Sequence, residues 1–487
     1  MPPPEVCSDA IGLDCLARLA MMRGALGKDD TVLGQERLTT SWGCGRTIVS
    51  VTPKALEHDS RTLKQVLSFS RWGFRSIVFE GLPSRADFSR FPFELHSLRP
   101  ATGDRPPPPA AEQTVSSPPI PAAPRRWRDR FAGTLPWRLA RAAIIGFERS
   151  PAGRILDAAA CLKISRTYLH NFVLSSDVVI PAADLYWVHS YEYVPRLLIR
   201  AGRLRKPVVF DFHDLYGNIF EDLSRSALPA DRWWGRMIHG LVRLAMWKGR
   251  QVVTVSPGLA DEFAALYGRR PEVLRNCHDS RLDRPAIAGL RHRLGLGQDC
   301  FLLVTMGDCK PAQAIAEGLR ALASLPESIH WVLIGRGYGR HAGLIGELGL
   351  GARVHDLGPV DPDEVVPLLK GADAALVSYF AITPDYLHCL PNGFFQSAAA
   401  GLPLIYPRLP DIEAIAGPLD LGIAVEARDS VAVAAAIAAL AGDPDLRARF
   451  CANVAAAWPV LSWGGEEHRL AALLADCLGE GGRPCAA

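Results

Sequence analysis

The stretch "RTIVSVTPKALEHDSRTLKQVLSFSRWGFRSIVFEG", residues 46–81, decides the fold. It opens with a β-branched run that Pro53 ends, and the run reads as a strand. Leu63, Val66, Leu67 and Ser70 then recur at helical spacing up to Gly73, and a second β-branched run follows. A strand, a helix and a strand within about thirty residues form a βαβ unit, because parallel strands need a crossover.

Working outward, the same rhythm returns downstream. "DLYWVHSYEYVP" (184–195) and "KPVVFDFHDLYG" (206–217) each read as a strand running into a turn. In "QVVTVSPGLADEFAALYG" (251–268) a buried strand meets Ser256, which caps the next helix, and Pro257, which opens it. "PEVLRNCHD" (271–279) closes this half. A second series starts at "CFLLVTMGDCKPAQAIAEGLRALASL" (300–325) and runs on through "HWVLIGRGYG", "ADAALVSYF", "LPLIYP" and "GIAVEARD". The strands of both series are near-continuous apolar runs, which is the mark of parallel sheets covered on both faces. The expected class is therefore α/β, with two facing doubly wound Rossmann-like domains and a cleft between them.

Other regions break the rhythm. Residues 1–45 read as a poorly specified leader, and 100–124 are a proline-rich insertion unsuited to a core. From Arg125 to Arg166 the chain carries ten basic and three acidic residues, interleaved with Trp127, Phe131, Trp137 and Phe147. This segment suits a helix lying on an anionic membrane surface. It equally suits helices that dock an apolar stripe on the sheet, and periodicity leaves both readings open. The expected divisions are a first domain over 46–285, a second over 286–460, and a final helix over 461–487 that returns to the first.

Bulk composition narrows the function. Hydrophobic residues make up 48% and charged residues 22%, a globular balance, and the net charge of +3 speaks against nucleic acid as the main partner. The eleven cysteines form no CxxC pair or Cys/His cluster at zinc spacing, so reduced cytosolic thiols are expected, and nothing calls for a cofactor. No run reaches the length of about 18 apolar residues that a spanning helix requires. The expected location is cytoplasmic, with a peripheral place on the inner face of the plasma membrane if 125–166 meets lipid.

Candidate chemistry gathers where strands end. In "VTMGDCKPAQA", Gly307 marks a close backbone approach and Lys310 offers a counter-charge for phosphate; an ordinary turn with a solvated lysine is the competing reading. Gly335 lies in "IGRGYGR", a glycine-rich turn that is weak evidence alone. In "LPNGFFQSAAAGLPLIYP" (390–407), Pro391 stiffens the loop and Asn392 caps or begins a helix whose free N–H groups and dipole favour an anion. Gln396, one turn in, suits sugar hydroxyls, while the three alanines and Gly401 allow close packing and Pro403 ends the helix. An anion joined to a polyhydroxylated body, as in a nucleotide sugar, fits this pattern. His189 and His213 each end a strand of the first series, and Arg61 and Lys64 follow its first strand. "VDPDEV" has the look of an acidic metal site, but carboxylates at a helix start are expected for the dipole, and it is read as structural.

These motifs together resemble the retaining glycosyltransferases of group 1 (family 4), with a GT-B fold. The carriers are "DSRTLK", "WVHSYEYVP", "FDFHDL", "VTVSPGLADEF" with "VLRN", the "LPNGFFQSAAAGLPLI" block, and "LSW" followed by a helix. The resemblance implies transfer of a sugar from a nucleotide-sugar donor, held by the second domain, to a saccharide or lipid-linked acceptor at the first, without metal. It places His189 near the reacting sugar; the residue pattern adds His213 at the same sheet edge as the second catalytic candidate and sets Arg61 and Lys64 on the acceptor side. Gly307, Lys310, Gln313, Gly335, Asn392, Gly393 and Gln396 fall on the donor side. Three positions depart from the family: Gln313 stands where an Arg or Lys usually neutralises the diphosphate, Gly393 where a lysine is frequent, and Gln396 where a glutamate binds the ribose. Bacterial polysaccharide synthesis is the implied setting. Two alternatives remain: a non-catalytic binding or scaffold protein of the same fold, and a sugar-nucleotide epimerase.

Overall fold

The computed structural model describes residues 42–98, 151–174, 178–216, 229–284 and 289–479. The leader up to residue 41, the proline-rich insertion and residues 125–150 of the basic segment lie outside the described residues.

Two parallel sheets organise the chain. The first has seven strands: β1 (Thr47–Thr52), β2 (Arg75–Glu80), β3 (Glu94–Ser97), β4 (Leu185–His189), β5 (Val208–Asp211), β6 (Gln251–Thr254) and β7 (Glu272–Val273). Their order is β3-β2-β1-β4-β5-β6-β7. The second has six: β8 (Phe301–Met306), β9 (Ile329–Ile334), β10 (Val354–Gly358), β11 (Ala374–Leu376), β12 (Leu404–Pro407) and β13 (Gly422–Val425), ordered β10-β9-β8-β11-β12-β13. Each sheet reverses its strand order between its first and fourth strands, which is the doubly wound arrangement that opens a crevice at the carboxyl edge.

The apolar runs are buried on both faces, as a parallel sheet requires. In the first sheet Tyr186, Val188 and Phe210 pack against helices α3 (Val194–Leu204), α4 (Pro229–Lys248) and α5 (Pro257–Tyr267). Leu185, Trp187 and Val209 face the other way, toward Phe69 of α1 (Ser60–Arg71) and toward Trp463, Leu470 and Leu474 of the last helix, α12 (Trp463–Cys477). Helix α2 (Pro151–Tyr168) lies against α4, where Trp233 Nε1 donates to Ser165 Oγ.

In the second sheet one face carries α6 (Ile315–Ala323) and α10 (Ser430–Gly442), and the other carries α8 (Asn392–Ala399) and α11 (Pro444–Leu461). Helix α8 ends at Ala399, and the positive φ of Gly401 (76°) turns the chain back, so the glycine and not Pro403 terminates it. Asp361 and Asp363 lie just before the short helix Val365–Leu369, and both pair with Arg284.

Candidate functional site: the facing carboxyl edges of two sheets

The carboxyl edge of the first sheet ends in buried polar residues, among them Thr52, Glu80, His189, Asp211 and Thr254. A carboxylate in such a place needs partners, because an unpaired buried charge is costly. Asp211 is fully buried and accepts from Arg61 Nε at 3.0 Å to both oxygens, from Gln65 Nε2 at 2.7 Å and from Trp187 Nε1 at 3.3 Å. Arg61 Nη1 donates to Leu274 O at 2.8 Å. Burial works against the Asp211 carboxylate, but the Arg61 guanidinium wins and holds it down to about 2.

Arg61 and Lys64 were expected to face an acceptor. The structure turns both inward: Arg61 is 1% exposed and Lys64 is 4% exposed. Arg61, Lys64, Gln65 and Ser68 form a polar stripe at helical spacing on α1: Arg61 and Gln65 bond to Asp211, and α12 covers Lys64 and Ser68. Ser68 Oγ donates to Glu467 Oε1 at 2.6 Å and accepts from Trp463 Nε1 at 3.0 Å, while the Lys64 ammonium lies 5.2 Å from the Trp463 ring centroid. Burial, helped by the Arg61 cation, pulls Lys64 down to about 8 against the opposing pull of Cys277 and Asp279.

The two histidines meet. His189 Nδ1 and His213 Nε2 are 3.1 Å apart, so one N–H is shared between them. Burial pulls His189 down to about 4, although Asp211 and Asp59 favour its charged form, and burial lowers His213 as well. Both are therefore neutral at pH 7. Nε2 of His189 is buried and has no hydrogen-bond partner among the described residues. Asp59 completes the edge: its side chain caps α1 by accepting from Thr62 N at 3.1 Å, and it also accepts from Thr52 Oγ1 at 2.7 Å. Burial opposes its charge, but His189, His213 and these bonds hold it well below the usual carboxylate range.

His189, Asp211 and His213 offer ligand atoms within 4.8 Å of one another, so the trio has the composition of a metal site. Its chemistry fits one poorly. Both Asp211 oxygens already accept from Arg61, and a dication would sit beside that guanidinium.

The second sheet's carboxyl edge is built differently. Gly307 follows β8 at φ 100°, and a Cβ on Gly335 after β9 would lie 2.3 Å from Gly307 O, so the two turns touch backbone to backbone. Tyr338 Oη donates to Gly307 O at 2.7 Å and pins the loop. Beyond it, Lys310 and Arg336 are exposed. Gln313, 7% exposed, accepts from Lys310 N at 2.9 Å through Oε1, yet its Nε2 has no partner among the described residues. Ser378 Oγ is buried and equally unpartnered. These two side chains, with Pro391 and Gly393, line a cavity of about 10 Å³, the space of a single water.

Helix α8 starts there. Pro391, not Asn392, occupies the cap position, and no side chain caps the first turn; Phe394 N donates back to Pro391 O at 2.9 Å, which leaves the N–H groups of Asn392 and Gly393 without a side-chain acceptor. Asn392 is the first helical residue, and its Oδ1 accepts from Asn276 Nδ2 at 2.8 Å; Asn276 Oδ1 in turn accepts from Lys64 Nζ at 2.8 Å. A polar chain thus joins α8 to α1. A Cβ on Gly393 would lie 3.1 Å from Met306 Sδ and 3.2 Å from Met306 O, so α8 sits too close to β8 for a comfortable side chain there. Gln396 is half-buried on the same helix.

The domains also touch through α5. Gly258 N donates to Asp411 Oδ1 at 3.1 Å, Asp411 Oδ2 is 2.7 Å from His388 Nδ1, and Ser256 Oγ donates to His388 O at 2.7 Å. Asp411 belongs to α9 (Pro410–Ala416) of the second domain, yet it supplies the acid at the amino end of a first-domain helix. Leu215 N donates to Asp385 Oδ1 nearby.

Sequence reasoning passed over Asp211, Gln65, Asn276 and Ser378 as site residues. An acid ending the buried run "VVFD" is a usable signal for Asp211, since only a paired carboxylate belongs there. Asn276 and Ser378 carry no local signal, because their roles depend on contacts far along the chain.

With this geometry in view, comparison with known proteins is informative. Residues 301–443, within the second domain, match the family described as glycosyl transferases group 1. No curated protein matches the chain in sequence. Among solved structures, Anabaena Alr3699/HepE in complex with UDP-glucose is similar at 15% identity and a TM-score of 0.57, covering 88% of this chain and 99% of that one. Sucrose-phosphate synthase from Thermosynechococcus elongatus is similar at 14% identity and 0.58, covering 90% and 100%. A glycosyltransferase from Rickettsia africae is similar at 12% identity and 0.58, covering 89% and 98%. The two facing α/β domains are those of the GT-B fold.

Proposed function

We propose that this protein is a retaining, metal-independent glycosyltransferase that moves a sugar from a nucleotide-sugar donor to a saccharide or lipid-linked acceptor in polysaccharide synthesis. One observation carries the reading. The second domain, which matches the group 1 glycosyltransferase family over residues 301–443, has an uncapped helix start at Pro391 beside two buried, unpartnered polar groups, Gln313 Nε2 and Ser378 Oγ. Open N–H groups at a helix start favour an anion, and a diphosphate is the anion such a donor brings.

In the proposed reaction the bond from the sugar C1 to the diphosphate oxygen breaks, and the electron pair leaves with the phosphate. The acceptor hydroxyl oxygen bonds to C1, and its proton passes to the departing phosphate oxygen. Charge grows on the diphosphate, so the α8 amino end, Lys310 and Arg336 supply the positive potential, and Gln313, a neutral amide, adds a hydrogen bond through its free Nε2. Gln396 meets the ribose hydroxyls, and the free Nε2 of neutral His189 hydrogen-bonds the transferred sugar. The acceptor approaches from the first domain's carboxyl edge. Arg61 and Lys64 shape that edge from beneath rather than touching the acceptor. Membrane contact through 125–166 belongs to this proposal too, and its residues up to 150 lie outside the described ones.

The test is nucleotide release. With UDP-glucose, the donor bound by the Anabaena protein, and then GDP- and ADP-sugars, nucleoside diphosphate should appear only when an acceptor is added. A non-catalytic donor-binding role is the second reading, favoured by Gln313 and by the crowding of Gly393 against Met306. Binding without release under any acceptor would select it.

A further inference from the structure

The outer helical layer of the first domain has a composition that the transfer reaction does not use. Residues 158–173, 194–206 and 231–250 hold twelve lysines and arginines and a single acid, Asp231, in a chain whose net charge is only +3. Among the described residues, five of the ten large hydrophobic side chains left exposed belong to this layer, Leu162, Leu169, Ile199, Trp233 and Trp247, and a sixth, Val179, lies beside it next to Val178. The layer is continuous. Trp233 Nε1 donates to Ser165 Oγ across α4 and α2, and Arg196 Nη2 donates to Val178 O. Between α3 and α4 runs a groove of about 660 Å³, apolar along Leu198, Ile199 and Leu244 and basic at Lys206, Lys248 and Arg250. The Lys248 ammonium lies 3.4 Å from the Trp247 ring centroid, which places a cation and an amphipathic ring together on the rim.

We infer that this face docks on an anionic lipid bilayer, with Ile199 and Trp247 entering the interface and the groove taking an acyl chain. Exposed aliphatic and indole groups ringed by cations suit a surface that is apolar within and anionic at its headgroups. A second copy of the same face would meet it with like charge, and a nucleic acid backbone gives Leu162, Leu169 and Ile199 nothing to bury against. The acids facing the rim are Asp184, paired with Lys206, and Asp476, paired with Arg250; both pairs are exposed, and headgroup phosphates compete for the cations. The groove ends at Pro207, Val208 and Arg250, beside the amino ends of β5 and β6. Docking there leaves the carboxyl edges of both sheets free, so this surface stands independently of the transfer reading.

The experiment is co-sedimentation of the full chain with phosphatidylcholine vesicles, with and without about one-third phosphatidylglycerol. Binding is expected only with the anionic lipid. It should weaken at least about tenfold in Ile199→Glu/Trp247→Glu, and in Arg203→Glu/Arg205→Glu/Lys248→Glu, while Val431→Glu, exposed on the second domain, should bind as the parent does. Ile199 and Trp247 are 51% and 72% exposed, and the milder Ile199→Ser/Trp247→Ser pair guards against a folding defect. Full binding by both Ile199/Trp247 variants, equal binding to neutral vesicles, or loss of binding only when Arg125, Arg126, Arg128 and Arg130 become Glu overturns the inference.

Discussion

The two carboxyl edges face the same cleft but are finished in opposite ways. In the first domain the buried charges are paired: Asp211 with Arg61, Asp59 with Thr52 and Thr62, Lys64 with Asn276. In the second domain Gln313 Nε2 and Ser378 Oγ are buried without partners, the first turn of α8 is uncapped, and Lys310 and Arg336 reach into solvent. A saturated edge is a scaffold, since its groups satisfy one another whether or not a substrate is present. An unsaturated edge is a binding surface, since its polar groups gain most when a ligand supplies the missing bonds. The first side has exceptions of its own: among the described residues His189 Nε2 and Gln65 Oε1 are buried without a hydrogen-bond partner, and Arg61 Nη2 meets Asp211 only as an ion pair at 2.9 Å.

The comparison breaks first, and hardest, at Asp211. Asp211→Ala leaves the Arg61 cation buried and uncompensated, and unfolding by urea should show a loss of about 3–5 kcal/mol. Arg61→Met combined with Asp211→Leu should recover much of that stability, which a ligand-binding role for either residue would not predict. Donor-side changes should do the reverse. Lys310→Ala and Gln313→Ala should each weaken nucleotide-sugar binding by about tenfold in calorimetry, about 1.4 kcal/mol, with the urea midpoint nearly unchanged.

Acid sharpens the contrast next. His189 and His213 are held neutral in the fold, so between pH 6.5 and about 4 the unfolded chain binds more protons than the folded one. Stability should therefore fall as pH drops through that window, with a slope of about 1.4 kcal/mol per pH unit for each histidine that titrates only in the unfolded chain. His189→Gln should flatten the slope in melts recorded from pH 7 to 4. The smallest effect is expected at Gly393. Gly393→Ala presses a methyl group on Met306 and should cost about 1 kcal/mol, with a modest rise in the donor KM as α8 shifts.

Much of this plan was legible from the chain alone. The run "FLLVTM" carries apolar residues on both faces, a property that points to parallel strands under two helical layers. The glycines after β8 and β9 and the helix start at Pro391 could be placed because backbone geometry is written locally. The inward turn of Arg61 and Lys64 was not legible. Helix α1 looks half-solvated until α12, nearly four hundred positions later, covers its polar stripe through Ser68, Trp463 and Glu467. The link from Lys64 through Asn276 to Asn392 is hidden for the same reason, since its three residues come from three separate segments.

The central claim is that a diphosphate docks at the open amino end of α8, and titration calorimetry tests it directly. The full chain titrated with UDP-glucose, then with GDP- and ADP-sugars, should bind at least one donor with measurable heat, and Lys310→Ala with Gln313→Ala should remove most of that affinity. Silence with every donor, or a parent-like isotherm in the double variant, would contradict it.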